Sequence, residues 1–135
     1  SKRRIPMSDN LIKSHMKSPI LSVESETTIQ DAGEFMLKER VRSLLVTNQG
    51  KYVGVVTKTD FILRVYIDES MDPEADLVLE IMSKPVLSLD ANTTMEEARK
   101  YMQKNKIGHL GVTENGKITG MLSKENLLAY FGKLT

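Results

Sequence analysis

An internal duplication is the feature of this sequence that most constrains its fold. Residues 11–66 align with residues 77–132 without a gap, at a constant offset of 66 residues. The identical positions include methionines, prolines, glycines and lysines, among them the pairs Met16/Met82, Pro19/Pro85, Gly50/Gly116, Gly54/Gly120 and Lys58/Lys124. Self-similarity over this length predicts two copies of one supersecondary unit that need each other to bury a core. We expect domain 1 at 11–66, domain 2 at 77–132, an acidic linker at 67–76 and an N-terminal tail at 1–10.

Composition sets the broad class of the protein. The chain has 135 residues, of which 40% are apolar and 27% charged, values typical of a globular protein with one moderate core. The absence of cysteine argues against disulfides and thiolate zinc sites and favours a cytoplasmic location. No apolar run approaches the roughly 20 residues of a membrane helix. The net charge is +1, and we interpret the one basic run, Lys2-Arg3-Arg4, as a solvated tail; we therefore expect neither a membrane nor a nucleic acid as partner.

Hydrophobic periodicity predicts the same order of elements, β-α-β-β-α, in both repeats. Each repeat opens with a strand after a proline, at residues 20–23 and 86–89. Thr27 and Thr93 each stand three residues before Gln or Glu, which is a capping box that starts a helix. These helices are expected to end near Glu39 and Asn105. Apolar residues at spacings of three and four predict their buried faces, namely Ile29, Ala32, Met36 and Met95, Ala98, Met102.

The second half of each repeat is typical of a hairpin followed by a second helix. β-Branched and small apolar residues predict strands at 41–47 and 107–113, and a glycine at 50 and 116 supplies the positive φ of a tight reversal. The next strands should end at Thr57 and Ser123. An amphipathic helix is predicted at 59–66 and 125–131, with apolar side chains at Phe61, Ile62, Val65, Leu127, Leu128 and Phe131. The predicted fold class is α/β (α+β), built from two tandem β-α-β-β-α repeats.

The point where the last strand meets the last helix is the best candidate for a binding site. In repeat 1, Thr57 ends the strand and Asp60 follows three residues later. A helix N-terminus offers backbone N–H groups and a positive dipole end to a phosphate, and the Asp60 carboxylate can accept both hydroxyls of a ribose. Repeat 2 has Ser123 and Asn126 at these positions, so it lacks the charge. Both pairs also have the spacing of helix caps, which need no ligand, and the residues alone leave both interpretations open.

The two repeats together resemble a tandem pair of CBS domains, the module named after cystathionine β-synthase and called a Bateman module when paired. The resemblance rests on the strand after a proline, the Thr-capped helix, the strand-Gly-strand hairpin and the closing Gly-apolar-apolar-Thr/Ser-x-x-Asp, and it covers Leu11 to Gly132. It implies two repeats packed about a pseudo-twofold axis, and homodimers of such discs. It also implies a non-catalytic sensor that binds AMP, ADP, ATP or S-adenosylmethionine in clefts between the repeats.

The resemblance further implies which residues line the two sites. In the first site, Arg42 and Ser43 bind phosphate beside Thr57 and Asp60, and the apolar bed for the base consists of Met82, Val86, Leu87 and Ile107. In the second site, His109 accompanies Ser123 and Asn126, and the opposite wall consists of Met16, Ile20, Leu21 and Val41. An Arg42 that is merely solvated, and a neutral His109 packed near the hairpin, are open alternatives.

The residues give little support to catalysis. Two histidines, no cysteine and scattered carboxylates provide neither a nucleophile with an oriented base nor a metal cluster, so no catalytic residue, metal or cofactor is predicted. We expect a regulatory module that binds an adenine nucleotide and signals through a homodimer or an effector protein. The competing hypothesis is a ligand-free interaction module, in which the caps are only caps and the helices serve dimerisation.

Overall fold

Both repeats have the predicted β-α-β-β-α order in the computed structural model, which describes residues 7–132. Repeat 1 consists of β1 (Ser22–Glu24), α1 (Ile29–Glu39), β2 (Ser43–Asn48), β3 (Lys51–Thr57) and α2 (Lys58–Phe61). Repeat 2 consists of β4 (Ser88–Asp90), α3 (Met95–Asn105), β5 (His109–Glu114), β6 (Lys117–Ser123) and α4 (Lys124–Gly132). A π-helical turn, Ile62–Ile67, extends α2. The α/β class is confirmed, and the basic run at 2–4 lies outside the described residues.

The strands form two three-stranded sheets, each with its strands in chain order. β1 pairs in parallel with β2, which pairs antiparallel with β3, and β4, β5 and β6 repeat this topology. The hairpins turn at Gln49-Gly50 and Asn115-Gly116, where φ is 52° and 76° in the first pair and 53° and 78° in the second. Two consecutive residues with positive φ mark a type I′ turn, whose twist matches that of the strands. The predicted reversals are therefore confirmed.

The helices α1 and α3 begin one residue later than predicted. Thr28 ahead of α1 and Thr94 ahead of α3 each accept, through Oγ1, the N–H of the residue three positions on, over 3.1 Å in both cases. Thr27 and Thr93 instead donate their own N–H groups to carbonyls at the ends of the preceding strands, over 3.0 and 2.9 Å. They belong to the turns, so the prediction that they cap the helices was wrong.

The buried faces and the ends of α1 and α3 agree with the sequence analysis. The six predicted core residues of these helices are all buried, at most 5% exposed: Ile29, Ala32, Met36, Met95, Ala98 and Met102. The helices end at Glu39 and Asn105, as predicted, and the next residue of each is left-handed. Periodicity at spacings of three and four thus located the packed side of both helices correctly.

The closing helices leave part of their apolar surface exposed. Phe61 and Val65 are buried, but Ile62 is 42% exposed and Leu128 of α4 is 75% exposed. Phe61 and Val65 are four residues apart and share a face, whereas Ile62 and Leu128 each follow a packed residue and so lie about 100° further around the helix. Ile62 and Leu128 therefore lie outside the packed faces of these helices.

The chain forms two compact units, and each contains the opening segment of the other repeat. The first unit consists of residues 21–86, and the second of residues 1–20 and 87–135, of which 7–20 and 87–132 are described. Val78 and Ile81, from the start of repeat 2, lie in the core of the first unit, and Ile12 lies in the core of the second. The boundaries at 11–66 and 77–132 mark the sequence repeats and stay a prediction for the domains.

The segment predicted as a linker, residues 67–76, closes the start of α1 in the first unit. The N–H of Ile29 donates to the carbonyl of Asp76, and that of Gln30 to the carbonyl of Pro73, both over 2.9 Å. These donors belong to the first turn of the helix, where no intrahelical acceptor exists. The Asp76 carboxylate also accepts the N–H of Asp72 at 2.6 Å, so the segment has a defined conformation.

Candidate functional site

The junction of β3 and α2 forms a hydrogen-bonded box. Asp60 Oδ2 accepts the N–H of Thr57 at 2.8 Å and its hydroxyl at 3.1 Å, while Thr57 Oγ1 accepts the N–H of Asp60 at 3.3 Å. This reciprocal pattern is a capping box. Across the part of the chain that the structure describes, Asp60 Oδ1 has no hydrogen-bond partner. One oxygen of the half-buried carboxylate is therefore held by the fold, and the other is an available acceptor.

Two of the backbone donors at the start of α2, those of Lys58 and Asp60, are already used within the fold. The N–H of Lys58 donates to the carbonyl of Arg42 at 3.0 Å, and the N–H of Asp60 is held by Thr57. In addition, α2 spans only four residues before it widens into the π-helical turn. The prediction that this helix start offers free N–H groups to a phosphate was wrong for Lys58 and Asp60.

The polar residues predicted for the first site meet at one end of the sheet. Ser43 stands directly opposite Thr57 in the antiparallel pair of β2 and β3. Arg42 precedes Ser43, and its carbonyl binds the residue that follows Thr57. The structure therefore brings Arg42, Ser43, Thr57 and Asp60 together around the junction.

Met82, predicted as part of the apolar bed, lies against β3 in the same unit. The residue after it, Ser83, exchanges two backbone hydrogen bonds with Val55, of 2.8 and 2.9 Å. The Met82 side chain crosses the strand at Gly54, where an added Cβ would come within 2.5 Å of Sδ and 2.9 Å of the Ser83 carbonyl oxygen. Glycine at position 54 therefore makes room for this crossing.

The other apolar residues of the first site are divided between the two units. Val86 belongs to the first unit, whereas Leu87 and Ile107 belong to the second. All of them are half-buried, as is Met82. Each therefore keeps some apolar surface exposed, and their joint role around a base stays a prediction.

The second unit repeats the junction with an amide in place of the carboxylate. Asn126 Oδ1 accepts the N–H of Ser123 at 2.8 Å and its hydroxyl at 3.0 Å, and Ser123 Oγ accepts the N–H of Asn126 at 3.2 Å. Because Asn126 Oδ1 is the acceptor in these bonds, the amide Nδ2 of Asn126 occupies the position that Oδ1 occupies in Asp60. The junction therefore offers a donor where the first unit offers a charged acceptor.

The neighbours of the second junction match those of the first. His109 stands opposite Ser123 in the pair of β5 and β6, as Ser43 stands opposite Thr57. The Met16 side chain crosses Gly120, where an added Cβ would come within 2.9 Å of Cγ. Of the remaining predicted residues, Ile20 lies in the second unit, whereas Leu21 and Val41 lie in the first. Each of these three is half-buried.

The comparison with protein families decides what kind of repeat this is. The CBS domain family matches residues 12–67 and 78–133, which together cover most of the chain. The chain belongs to the CBS-domain family. The resemblance to a tandem CBS pair is thereby confirmed, and the two junctions occupy equivalent positions in the two CBS repeats.

Curated relatives of this CBS pair are longer than the chain. The chain is 30% identical over 116 residues to the uncharacterized protein MJ0450 of Methanocaldococcus jannaschii, a match that covers 84% of the chain and 61% of that protein. The chain spans about a fifth of the length of the next relatives. One of them is the CBS domain-containing protein CBSCBSPB2 of Arabidopsis thaliana, to which the chain is 32% identical over 22% of that protein's length. The match to these relatives therefore covers only part of each protein.

Solved structures show the same CBS fold. An uncharacterized conserved protein from Pyrococcus horikoshii is 32% identical, with a TM-score of 0.81 over 94% of this chain and 95% of that one. The CBS domain pair of protein MJ0100, solved with 5′-methylthioadenosine and S-adenosyl-L-methionine, has a TM-score of 0.75 at 22% identity, over 90% of this chain and 95% of that one. A CBS-CP12 protein from bloom-forming cyanobacteria, with a TM-score of 0.79 at 23% identity over 87% of this chain and 66% of that one, is a hexamer.

Neither a cluster of metal-binding side chains nor a membrane-spanning helix is found in the described part of the CBS pair. Within 7–132, no group of three or more His, Cys, Asp or Glu side chains is placed to hold a metal ion. Among the helices of that range, none is long and apolar enough to cross a membrane.

The crossing of Met82 over Gly54 and of Met16 over Gly120 was not predicted from the sequence. The sequence does contain a sign of these contacts, because the methionine and the glycine both recur at the offset of 66 residues. An alignment of the two repeats does not show, however, that each methionine packs on the glycine of the other CBS repeat.

Proposed function

We propose that the chain is a non-catalytic regulatory module that binds an adenine nucleotide, AMP, ADP or ATP, at the junction of β3 and α2. The main support for this proposal is the carboxylate of Asp60. Its Oδ2 accepts two hydrogen bonds from Thr57, and its Oδ1 is available to a ligand. A fixed, charged acceptor beside a cross-strand hydroxyl suits the paired hydroxyls of a ribose, because charge-assisted hydrogen bonds are about twice as strong as neutral ones.

The neighbouring residues supply the other parts of the proposed site. Arg42 and Ser43 are the proposed phosphate ligands, and the apolar bed for the base comprises Met82, Val86, Leu87 and Ile107. A second site at Ser123 and Asn126, with His109, Met16, Ile20, Leu21 and Val41, is proposed to bind ribose more weakly because the amide carries no charge. Nucleotide occupancy is proposed to reach an effector protein, and the cytoplasmic location predicted from the lack of cysteine stays a prediction.

The ligands of the structurally similar protein MJ0100 support the proposal of an adenosyl ligand and suggest an alternative one. That protein was solved with 5′-methylthioadenosine and S-adenosyl-L-methionine, which share the adenosine group with AMP and ATP. S-adenosylmethionine is therefore the alternative ligand of this chain. A ribose at Asp60 would be common to all of these molecules.

A ligand-free interaction module is the second candidate function, and one observation favours it. The capping boxes at Thr57 and Ser123 are complete without a ligand, so both motifs have a sufficient structural role. On this hypothesis the chain acts only through its protein contacts.

A thermal-shift panel of AMP, ADP, ATP, GTP and S-adenosylmethionine separates these functions. A ligand at 100 times its dissociation constant adds about 2.7 kcal/mol to the free energy of unfolding, which raises the melting temperature by several degrees. We expect an adenine nucleotide to raise it and GTP not to. A panel without any shift, supported by calorimetric titration without heat of binding, leaves the interaction module as the function.

We propose further that the protein forms a homodimer through its closing helices. Tyr66 is 69% exposed, Ile67 is 67% exposed, and Leu128 is exposed as well. Exposed large apolar side chains on helix surfaces are typical of protein contacts. Sedimentation equilibrium at tens of micromolar should give twice the chain mass, and a monomer or a hexamer, as in the CBS-CP12 protein, would contradict the proposal.

A further inference from the structure

An apolar groove lies between α1 and the closing helix of the first unit, which is α2 with its π-helical turn. It has a volume of about 420 Å³, and its mostly apolar lining includes Leu37, Phe61, Ile62 and Tyr66. Gly33 also lines the groove, and an added Cβ there would lie 3.4 Å from Phe61 Cε1. Leu37 is 74% exposed and Tyr66 is 69% exposed, so the same face carries both a depression and projecting apolar side chains.

Exposed apolar side chains are concentrated in the first unit. Among the described residues, eight large apolar side chains are exposed, and only Leu128 of these lies in the second unit. Five of the other seven belong to α1 or to the closing helix of the first unit, namely Leu37, Ile62, Leu63, Tyr66 and Ile67. Because removing apolar surface from water is favourable roughly in proportion to its area, this face gains most from being covered.

The second unit closes the equivalent part of its helix face with a side chain of its own. Arg99 of α3 stands at the position that Gly33 has in α1. Its guanidinium binds the Glu96 carboxylate in the preceding turn and lies 6.0 Å from the centroid of the Phe131 ring in α4. The other replacements on this face are Gln103 for Leu37 and Gly132 for Tyr66. The second unit therefore presents a charged and polar face where the first unit presents an apolar groove.

The lining of the groove also includes one acid, Glu34 of α1, and one base, Lys58 of α2. In the part of the chain that the structure describes, the Lys58 ammonium has no hydrogen bond or ion pair, and the Glu34 carboxylate only accepts the amide of Gln30 at 3.3 Å. A twofold contact brings the same patch of both copies face to face, so that the acid of each copy can lie against the base of the other. A patch with one charge of each sign is therefore complementary to itself.

We propose that the homodimer forms by contact between the α1 and α2 faces of two first units, so that the binding energy comes from first unit against first unit. This contact rests on the homodimer proposed above and specifies its surface and orientation. Leu37 and Tyr66 of each copy fill the groove of the other, and Glu34 faces Lys58 across the twofold axis. A second copy is favoured over a different protein because one face carries both the groove and the side chains to fill it, together with both signs of charge.

Sedimentation equilibrium of the full chain tests this contact with residues copied from the second unit. Leu37→Gln and Gly33→Arg should each raise the dimer dissociation constant at least about tenfold, as truncation of a central interface residue does. The controls Arg99→Ala and Leu128→Ala, in the second unit, should leave it within about twofold of the parent value. Leu37 is exposed, so Leu37→Gln keeps the test decisive if Gly33→Arg does not fold.

Charge reversal tests the orientation of the two copies. Glu34→Lys sets base against base and Lys58→Glu sets acid against acid, so each variant alone should dimerise severalfold more weakly than the parent at about 50 mM NaCl. Mixed in equal amounts, the two variants should form a heterodimer, because every base then faces an acid. Native mass spectrometry distinguishes the heterodimer from the two homodimers by mass.

The outcomes separate this contact from the homodimer on which it rests. A parent chain that is monomeric at tens of micromolar contradicts both. If the parent is a dimer but Leu37→Gln dimerises as well as the parent, or Leu128→Ala weakens the dimer equally, the homodimer stands and the first-unit contact is wrong. Failure of the mixed charge variants to form a heterodimer would also overturn the contact. Melting curves establish which variants are folded.

Discussion

At the scale of single residues, Asp60 and Asn126 test whether the junctions are binding sites or only caps. The two side chains make the same three hydrogen bonds, but the remaining atom is a charged acceptor in Asp60 and an amide donor in Asn126. We expect Asp60→Ala to weaken adenine-nucleotide binding roughly tenfold or more, since a hydrogen bond to a charged group contributes about 1.5 to 3 kcal/mol. Asn126→Ala should weaken it much less. Titration calorimetry measures both.

The capping hypothesis predicts another pattern for the same two variants. Loss of a cap lowers the free energy of unfolding by about 0.5 to 2 kcal/mol and leaves ligand affinity alone. Since both capping boxes are complete, the Asp60→Ala and Asn126→Ala variants should be destabilised to a similar extent whether the junctions bind a ligand or only cap a helix. Nucleotide affinity is therefore the measurement that separates the two hypotheses. If Asp60→Ala binds nucleotide as the parent does while melting several degrees lower, the junction is only a cap.

At the scale of elements, the crossing of Met82 over β3 explains why position 54 is glycine. We expect Gly54→Ala to lower the free energy of unfolding by about 1 to 3 kcal/mol, because its Cβ would meet the Met82 side chain and the Ser83 backbone. Gly33→Ala in α1 is the control: its Cβ would have ordinary contact with Phe61, at 3.4 Å, and alanine favours the helix by about 1 kcal/mol. Urea denaturation compares the two, and a Gly54→Ala variant as stable as the parent would contradict the packing.

The helix starts show how far the sequence determines local structure. Thr27 and Thr28 are adjacent, and each has a side chain three residues on that suits a capping box, as do Thr93 and Thr94. Periodicity therefore located the helices and their buried faces, but the choice of cap depended on turn hydrogen bonds to the preceding strand. The juxtaposition of Ser43 and Thr57 was predictable because hairpin register places them on opposite strands, whereas the contact of Met82 with Gly54 was not, because it joins segments that are distant in the chain.

At the scale of the whole molecule, each compact unit contains the opening segment of the other repeat. The N-terminal segment, residues 7–20, belongs to the second unit, and Ile12 is fully buried there. The opening segment of repeat 2, residues 77–86, belongs to the first unit, where Val78 is equally buried. Ile12 and Val78 are equivalent positions of the duplication, which makes them a matched pair for testing this exchange. Periodicity could not reveal the exchange, because both residues only mark an apolar position ahead of a strand.

We expect Ile12→Ala to destabilise the second unit although residue 12 belongs to repeat 1 in the sequence. Removing a buried Ile side chain lowers the free energy of unfolding by about 2 to 5 kcal/mol. Native-state hydrogen exchange should therefore show faster exchange in residues 87–132 for Ile12→Ala and in residues 21–86 for Val78→Ala, since local opening follows cooperative units. Faster exchange confined to 21–66 in Ile12→Ala would mean that the N-terminal segment packs on its own repeat, and the division into units would be wrong.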